Sequence, residues 1–281
     1  MQLGAGYELD VQGPRVVYDD MTVPQVTQFP YRNWSALSTV DVARRARMQE
    51  RVYRSADMCC MTSSWAARSA VDDLGVPDER VRVVAAGTHE EARVVDREWS
   101  RPRYLFVGFD FERKNGTRVL RAFAEVRRRH PNATLDLVGG HPEVSDPGVT
   151  GHGILRRDHP DERARMRALF EQATCFVMPS LFEPAGVVFT EAAAAGLPSI
   201  AGTNGGSRDF VGPAGVMVDP QDDGAITAAM MDLADPEEAK RLGALAADRT
   251  ALFSWPSVAG RLLRGLGLGQ APGLADFLPL R

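Results

Sequence analysis

The sequence has few lysines and cysteines and no long apolar run. Of its 33 basic residues, only Lys114 and Lys240 are lysine. The three cysteines, Cys59, Cys60 and Cys175, form neither a zinc-binding pattern nor a disulfide framework, so we expect buried, reduced thiols. No apolar stretch approaches the roughly 20 residues that span a bilayer. The first residues also lack the basic segment and apolar core of a secretory signal, and we therefore expect a cytoplasmic protein.

An excess of basic charge is also missing. The 281 residues hold 33 Lys and Arg against 37 Asp and Glu, a net charge of −4, which argues against a nucleic-acid partner. No two aspartates are separated by a single residue, so we expect a site that needs no metal. Gly4 and Gly6 are not followed by the third glycine of a dinucleotide fingerprint. That disfavours a nucleotide-cofactor oxidoreductase, and no cofactor is predicted.

The chain does carry the alternation of a parallel α/β protein. Between residues 101 and 255, short apolar runs alternate with helical patterns, which predicts a complete, doubly wound, Rossmann-like domain. The candidate strands there are 104–108, 135–139, 175–178, 198–201 and 215–218. Residues 1–98 carry only about three candidate strands and predict a partial Rossmann-like domain. These strands are 15–18, 58–61 and 81–84. Residues 256–281 are predicted to be a separate tail.

Two carboxylates eight residues apart mark the most informative segment, residues 179–198. Glu183 follows a predicted strand, and Glu191 lies inside the next predicted helix. The start of that helix offers backbone N–H groups to a phosphate, and a glycine there allows close approach. The residues at this helix start are Pro184, Ala185, Gly186 and Val187. The alternative is structural: Glu183 would be a partner of the helix dipole and Glu191 a solvated helix residue.

The same segment resembles the Glu-x7-Glu signature of retaining family-4 glycosyltransferases of the GT-B fold, the glycosyl transferases group 1. Further motifs that resemble this family occur at 106–115, 137–140, 176–180 and 253–255, and upstream at 56–57, 64–66 and 82–87. The resemblance implies a C-terminal domain that binds a nucleotide diphosphate-sugar donor. It also implies transfer of the sugar with retention of anomeric configuration, without metal, to an acceptor that is a glycan, a lipid or a small molecule.

The resemblance also implies roles for single residues. Glu183 matches the carboxylate that contacts sugar hydroxyls, and Glu191 the one that contacts the ribose hydroxyls. Lys114 matches the lysine that neutralises the leaving diphosphate, whose oxygen itself takes the acceptor's proton. Gly205 and Gly206 match a glycine loop that faces the donor.

The chain departs from the family at two places. Many relatives carry an arginine where this chain has Phe109, and Arg113 is the candidate replacement for that cation. The N-terminal domain lacks roughly its first half. Asp19 matches a polar acceptor-side residue, although a turn-forming Asp-Asp pair explains Asp19 and Asp20 nearly as well. Gly87 matches a glycine that follows the last strand of this domain.

Two questions about partners stay open at this level. An N-terminal domain without its first half is either completed by self-association or by another chain, or it marks an inactive remnant or a non-catalytic module that binds nucleotide-sugars. A predicted helix over residues 42–53 is also rich in arginine. This helix suits peripheral contact with a membrane or an acidic acceptor, and equally a solvated face. The arginines concerned are Arg44, Arg45, Arg47, Arg51 and Arg54.

Overall fold

A computed structural model describes residues 1–4, 13–29, 31–88 and 93–268 of the chain. The chain divides into two compact units. The first consists of Met1–Gly87 together with the residues from Leu252 onward, and the second is Thr88–Ala251. Each unit has a parallel sheet with flanking helices, which confirms the predicted α/β fold class.

The first unit is built on a parallel sheet whose four described strands follow one another in chain order. The strands are β1 (Gln2–Leu3), β2 (Val16–Asp19), β3 (Met58–Met61) and β4 (Val81–Val83). The helices that precede and follow β3 are α1 (Val23–Val26), α2 (Arg32–Ser35), α3 (Thr39–Ser55) and α4 (Ser64–Asp72). The sheet contains the three predicted strands and adds β1, which the sequence did not predict because two residues carry no periodicity.

The second unit is a doubly wound sheet with six strands in its described residues. The strands are β5 (Arg103–Gly108), β6 (Thr134–Gly139), β7 (Val149–Gly151), β8 (Cys175–Met178), β9 (Ser199–Gly202) and β10 (Gly215–Val218). The helices are α5 (Gly116–Arg129), α6 (Pro160–Gln172), α7 (Val187–Ala194), α8 (Ser207–Val211), α9 (Asp223–Asp232) and α10 (Pro236–Arg249). All the predicted strands of this unit are present, and β7 and α8 are additional.

The strand order in this sheet is β10-β9-β8-β5-β6-β7, and every pair is parallel. The chain therefore winds outward in one direction from β5 and in the other from β8. The crevice at the carboxyl ends of two such strands is the usual ligand site of an open α/β sheet. The loops that leave β5 and β8 are residues 109–115 and 179–186, the segments that carry the predicted site.

The segment predicted as a separate tail contains a helix that belongs to the first unit. Helix α11 (Trp255–Gly265) is amphipathic, with Val258 and Arg261 buried. Its Leu262 packs against a cluster of Val16, Met58, Cys60 and Val84. The apolar face of the first sheet needs a cover, and α11 provides it. The predicted boundary before residue 256 therefore does not separate this helix from the first unit.

Candidate functional site

Lys114 and Glu183 meet where the strand order reverses. Lys114 lies in the loop after β5, and Glu183 in the loop after β8, 69 residues further along the chain. The Lys114 ammonium Nζ forms a hydrogen-bonded ion pair with Glu183 Oε2. Both side chains are almost entirely buried, at 12% and 9% exposure. The fold thus joins the two residues that the sequence predicted for the diphosphate and the sugar.

Several further groups hold the Glu183 carboxylate. The backbone N–H of Gly186 donates to Oε1 at 3.1 Å, and the Ser180 hydroxyl lies 3.4 Å from Oε2. The Arg113 guanidinium donates to the Phe182 carbonyl at 2.9 Å and lies 3.8 Å from Oε2. Arg113 therefore adds a second positive charge beside Glu183. Because the Gly186 N–H is already engaged, it is not a free donor for a phosphate in this state.

Two opposing electrostatic effects act on the pKa of the Lys114 ammonium. Burial lowers the pKa of its ammonium, and the Glu183 carboxylate opposes that shift. A buried ammonium that is paired in this way remains a compact positive charge next to the start of α7. The first N–H groups of an α-helix have no partner within the helix and favour negative charge. Together these groups can stabilise an anion that forms at this edge of the sheet.

The glycine loop after β9 touches the backbone of Glu183. The N–H of Glu183 donates to the carbonyl of Asn204 at 3.1 Å, and the N–H of Gly206 donates to the carbonyl of Glu183 at 2.9 Å. A Cβ atom on Gly205 would lie 2.1 Å from that same carbonyl oxygen. Gly205 and Gly206 therefore position Glu183. Whether they also contact a donor, as the sequence predicts, stays a prediction.

Glu191 lies in α7, eight residues after Glu183 in the sequence. It is only 8% exposed and forms an ion pair with Arg157, from the loop before α6. The structural alternative of a solvated helix residue is therefore wrong. Sequence reasoning missed Arg157, because its partner is 34 residues away and no local pattern links the two.

Asp19 and Gly87 lie in the first unit. Asp19 ends β2, where it accepts hydrogen bonds from the Tyr53 hydroxyl at 2.9 Å and from the Asp20 N–H at 3.0 Å. It lines a cleft of about 420 Å³ together with residues of α1 and α3. Burial, reinforced by the Asp20 charge, raises its pKa to about 6. Gly87 faces the ring of Trp255, which a Cβ would overlap at 2.3 Å, so packing alone accounts for this glycine.

Three further observations concern the exposure of Phe109, the state of the cysteines and the length of the helices. The Phe109 side chain is 76% exposed, so the side chain at this position points into solvent. All three cysteines are buried and free, as expected. Within residues 1–4, 13–29, 31–88 and 93–268, no helix is both long and apolar enough to cross a membrane.

Comparison with solved structures identifies the architecture. The chain superposes on a sucrose-phosphate synthase from Thermosynechococcus elongatus with a TM-score of 0.69 and 26% identity, over 90% of this chain and 67% of that one. Its solved neighbours are glycosyltransferases of the GT-B fold, which is the fold of this chain.

The family follows from the sequence match. The family described as Glycosyl transferases group 1 matches residues 101–235, so the chain contains a domain of that family, as predicted.

Two curated relatives each match about half of the chain. One is a GDP-mannose-dependent α-(1-6)-phosphatidylinositol monomannoside mannosyltransferase of Mycolicibacterium smegmatis, 38% identical over 51% of this chain and 41% of that protein. Another is a glycogen synthase of Mycobacterium tuberculosis (strain CDC 1551 / Oshkosh), 34% identical over 55% of this chain and 40% of that protein. The matched regions thus span about two fifths of these two relatives.

Proposed function

We propose that the chain transfers a hexosyl group from a nucleotide diphosphate-sugar to an acceptor, with retention of anomeric configuration and without a divalent metal. The observation that carries this proposal is the meeting of Lys114 and Glu183 beside the start of α7, with Glu191 buried in the same helix. A nucleotide diphosphate-sugar presents sugar hydroxyls, a diphosphate and ribose hydroxyls in sequence. Glu183, Lys114 and Glu191 are the proposed partners of these three groups. Carboxylates accept from adjacent hydroxyl pairs, and an ammonium matches phosphate oxygens.

The proposed reaction follows from the charges. The bond between the anomeric carbon and the diphosphate oxygen breaks while a bond to the acceptor oxygen forms on the same face. The acceptor's proton goes to the departing phosphate oxygen, so no protein base is needed. Lys114, Arg113 and the first N–H groups of α7 stabilise the negative charge that grows on the diphosphate. Lys114 must then exchange part of its contact with Glu183 for the phosphate.

The acceptor side rests on the first unit. Asp19 is the residue that we propose to contact the acceptor, because its carboxylate lines the cleft in that unit. The names of the relatives describe acceptors as different as a phosphatidylinositol mannoside and glycogen. We therefore leave the acceptor as a glycan, a lipid or a small molecule.

A second candidate is a non-catalytic module that binds nucleotide-sugars. The observation that favours it is the length of the match, about two fifths of each curated relative named above. Turnover separates the two candidates. Release of free nucleoside diphosphate that depends on the donor supports the transferase, whereas saturable binding without release supports the module.

The division of labour between the two glutamates gives a binding test. Glu191→Ala should weaken binding of a nucleoside diphosphate, because the ribose contact is present with or without sugar. Glu183→Ala should spare the nucleoside diphosphate and weaken the nucleotide-sugar. Each loss should be about 1.5–3 kcal/mol, the typical value of hydrogen bonds to a charged group. Equal effects of both changes on both ligands in calorimetric titrations would contradict these roles.

Metal independence has its own test. Donor binding and nucleotide release should persist after exhaustive treatment with a chelator and should not rise when magnesium or manganese is added back. If donor binding were lost on chelation and recovered when either metal was added, the proposed metal independence would be wrong.

A further inference from the structure

A cavity in the second unit adjoins Glu191. Its apolar wall is formed by Leu155, Met166 and Phe170. Its charged residues include Glu162, from the first turn of α6, and arginines from the loop that precedes α6. If Glu191 binds the ribose, as the proposed function holds, the nucleobase joined to that ribose reaches this cavity.

Apart from Glu191, Glu162 is the carboxylate in the described wall of this cavity, which also includes the Thr88 hydroxyl. Its Oε2 accepts the backbone N–H of Arg156 at 2.6 Å, and its Oε1 lies 3.3 Å from the Arg156 guanidinium and 3.6 Å from His159 Nδ1. These contacts hold the carboxylate in one place. A carboxylate has about four acceptor positions on its two oxygens, so both oxygens keep capacity for a ligand.

The nucleobases differ in what they offer to such a carboxylate. Guanine presents two adjacent donors, its N1–H and its 2-amino group, which match the two oxygens of a carboxylate. Uracil presents one N–H between two carbonyls, and adenine presents one amino group. Guanine also carries the O6 and N7 acceptors, to which arginine binds well, and Arg156 lines the same cavity.

From this arrangement we infer that the nucleotide of the donor is a guanosine diphosphate, with the Glu162 carboxylate accepting from N1–H and the 2-amino group. The inference rests on the proposed function and names its donor class.

Binding requires one local rearrangement. The space open in the cavity is about 40 Å³, which is too small for a purine, and Arg157 lies against Glu191. The Arg157 side chain is 58% exposed, so it can turn toward solvent and leave the cavity.

The test compares nucleoside diphosphates on the full chain by calorimetric titration. We expect GDP to bind at least tenfold more tightly than UDP and ADP. IDP, which lacks only the 2-amino group, should bind about tenfold more weakly than GDP, because one hydrogen bond to a charged group is lost. This comparison uses the unaltered protein, so it does not depend on whether any variant folds.

Two variants then assign the effect to one side chain. Glu162→Gln should weaken the binding of GDP about tenfold and change the affinity for UDP by no more than about twofold. The reason is that the glutamine side chain offers one acceptor group and one donor group instead of two acceptor oxygens. Asp161→Asn is the matched control, since Asp161 is in the same helical turn but is not part of the cavity wall, and it should change neither affinity.

The outcomes separate this inference from the proposed function. UDP or ADP binding as tightly as GDP, or IDP equal to GDP, overturns the guanine assignment while the transferase proposal stands. A Glu162→Gln variant that folds and keeps the GDP preference overturns the role of Glu162. No binding of any nucleoside diphosphate overturns both.

Discussion

The buried pair Lys114–Glu183 gives a prediction that separates stability from chemistry. Lys114→Ala removes the cation that pairs with the buried Glu183 carboxylate, and the Arg113 guanidinium lies 3.8 Å from that carboxylate. Removing one partner of a buried ion pair typically costs 3–5 kcal/mol, so we expect a loss of about 3 kcal/mol in the unfolding free energy of the second unit. Donor-dependent nucleotide release should fall at least about a hundredfold. Denaturant titration and a nucleotide-release assay measure the two effects.

A double variant tells the two effects apart. Lys114→Met with Glu183→Gln removes both charges, and replacing a buried pair by neutral groups of similar volume is often tolerated. Most of the lost stability should return, while nucleotide release stays abolished. If the double variant regained release along with stability, Lys114 would act only as a structural partner of Glu183.

Because the pKa of Asp19 is raised in the folded chain, we expect the stability of the fold to fall as pH rises. Its pKa is raised from 3.8 to about 6 in the folded chain, chiefly by burial. Between these two values the folded state binds more protons than the unfolded state, so ionisation of Asp19 costs stability across that window. A shift of about two pKa units corresponds to about 3 kcal/mol, present below about pH 4 and lost above about pH 6.

The comparison with Asp19→Asn tests this sign. Asparagine does not ionise, so the variant should gain stability relative to the natural chain as pH rises from about 4 to 7, by up to about 3 kcal/mol. The exposed Asp72→Asn, on α4, is the control and should follow the natural chain. A difference that does not change with pH would show that Asp19 is not protonated in this window.

At the scale of elements, the glycine loop after β9 fixes the position of Glu183. Gly205 has a φ of +108°, and a Cβ there would lie 2.1 Å from the Glu183 carbonyl oxygen. Gly205→Ala should therefore displace that backbone, lower stability by about 2 kcal/mol or more, and weaken the nucleotide-sugar more than the nucleoside diphosphate. Calorimetric titration with both ligands gives the readout.

Gly267→Ala is the control for backbone conformation alone. Gly267 also has a positive φ, +68°, but a Cβ there would meet nothing within 4 Å. It should show only the left-handed penalty of about 1–2 kcal/mol and no change in ligand binding. If the two variants behaved alike, contact with Glu183 would not be what Gly205 provides.

The elements that the sequence predicted best are those whose pattern is local. Strands β3, β8 and β10 have the predicted bounds because each is a short, continuous apolar run. Strand β7 has only Val, Thr and Gly, with its last two residues exposed, and so it carries no signal. Helix α11 was missed because a sequence rich in glycine and proline follows it, and its role depends on a sheet nearly 200 residues earlier.

The candidate site likewise combines residues that local motifs indicate with contacts that only the folded chain makes. Glu183, Glu191 and Lys114 were proposed because the motifs around them resemble those of a family. The fold brings Lys114 and Glu183 together and buries Glu191, and their roles toward a donor stay predictions. The pairing of Glu191 with Arg157 depends on where the loop before α6 returns to the sheet. That contact, like the cavity around Glu162, exists only in three dimensions.

At the scale of the whole molecule, the sheet of the first unit ends on strand β1 within the residues that the structure describes. Strand β1 pairs only with β2 among the described residues, and Met1 and Leu3 are 71% and 59% exposed. The half-buried Phe29, Trp34 and Leu37 lie near the start of α3. An edge of this kind is usually paired or covered, and self-association of the chain is a testable consequence. Its mass in solution should exceed that of a monomer and fall on dilution.

Helix α11 is expected to hold the first unit together. Leu262 packs on Val16, Met58, Cys60 and Val84, whereas its neighbour Leu263 is 49% exposed. Leu262→Asp places a charge against this apolar cluster and should cost about 3 kcal/mol or more, so that protease cleaves within residues 1–87. Leu263→Asp changes the same residue type at the next position and should leave cleavage unchanged. Because the proposed donor site lies in the second unit, nucleoside diphosphate binding should survive in both variants while transfer to an acceptor fails in Leu262→Asp. A first unit that stays protease-resistant in Leu262→Asp would show that the four strands and their own helices suffice without α11.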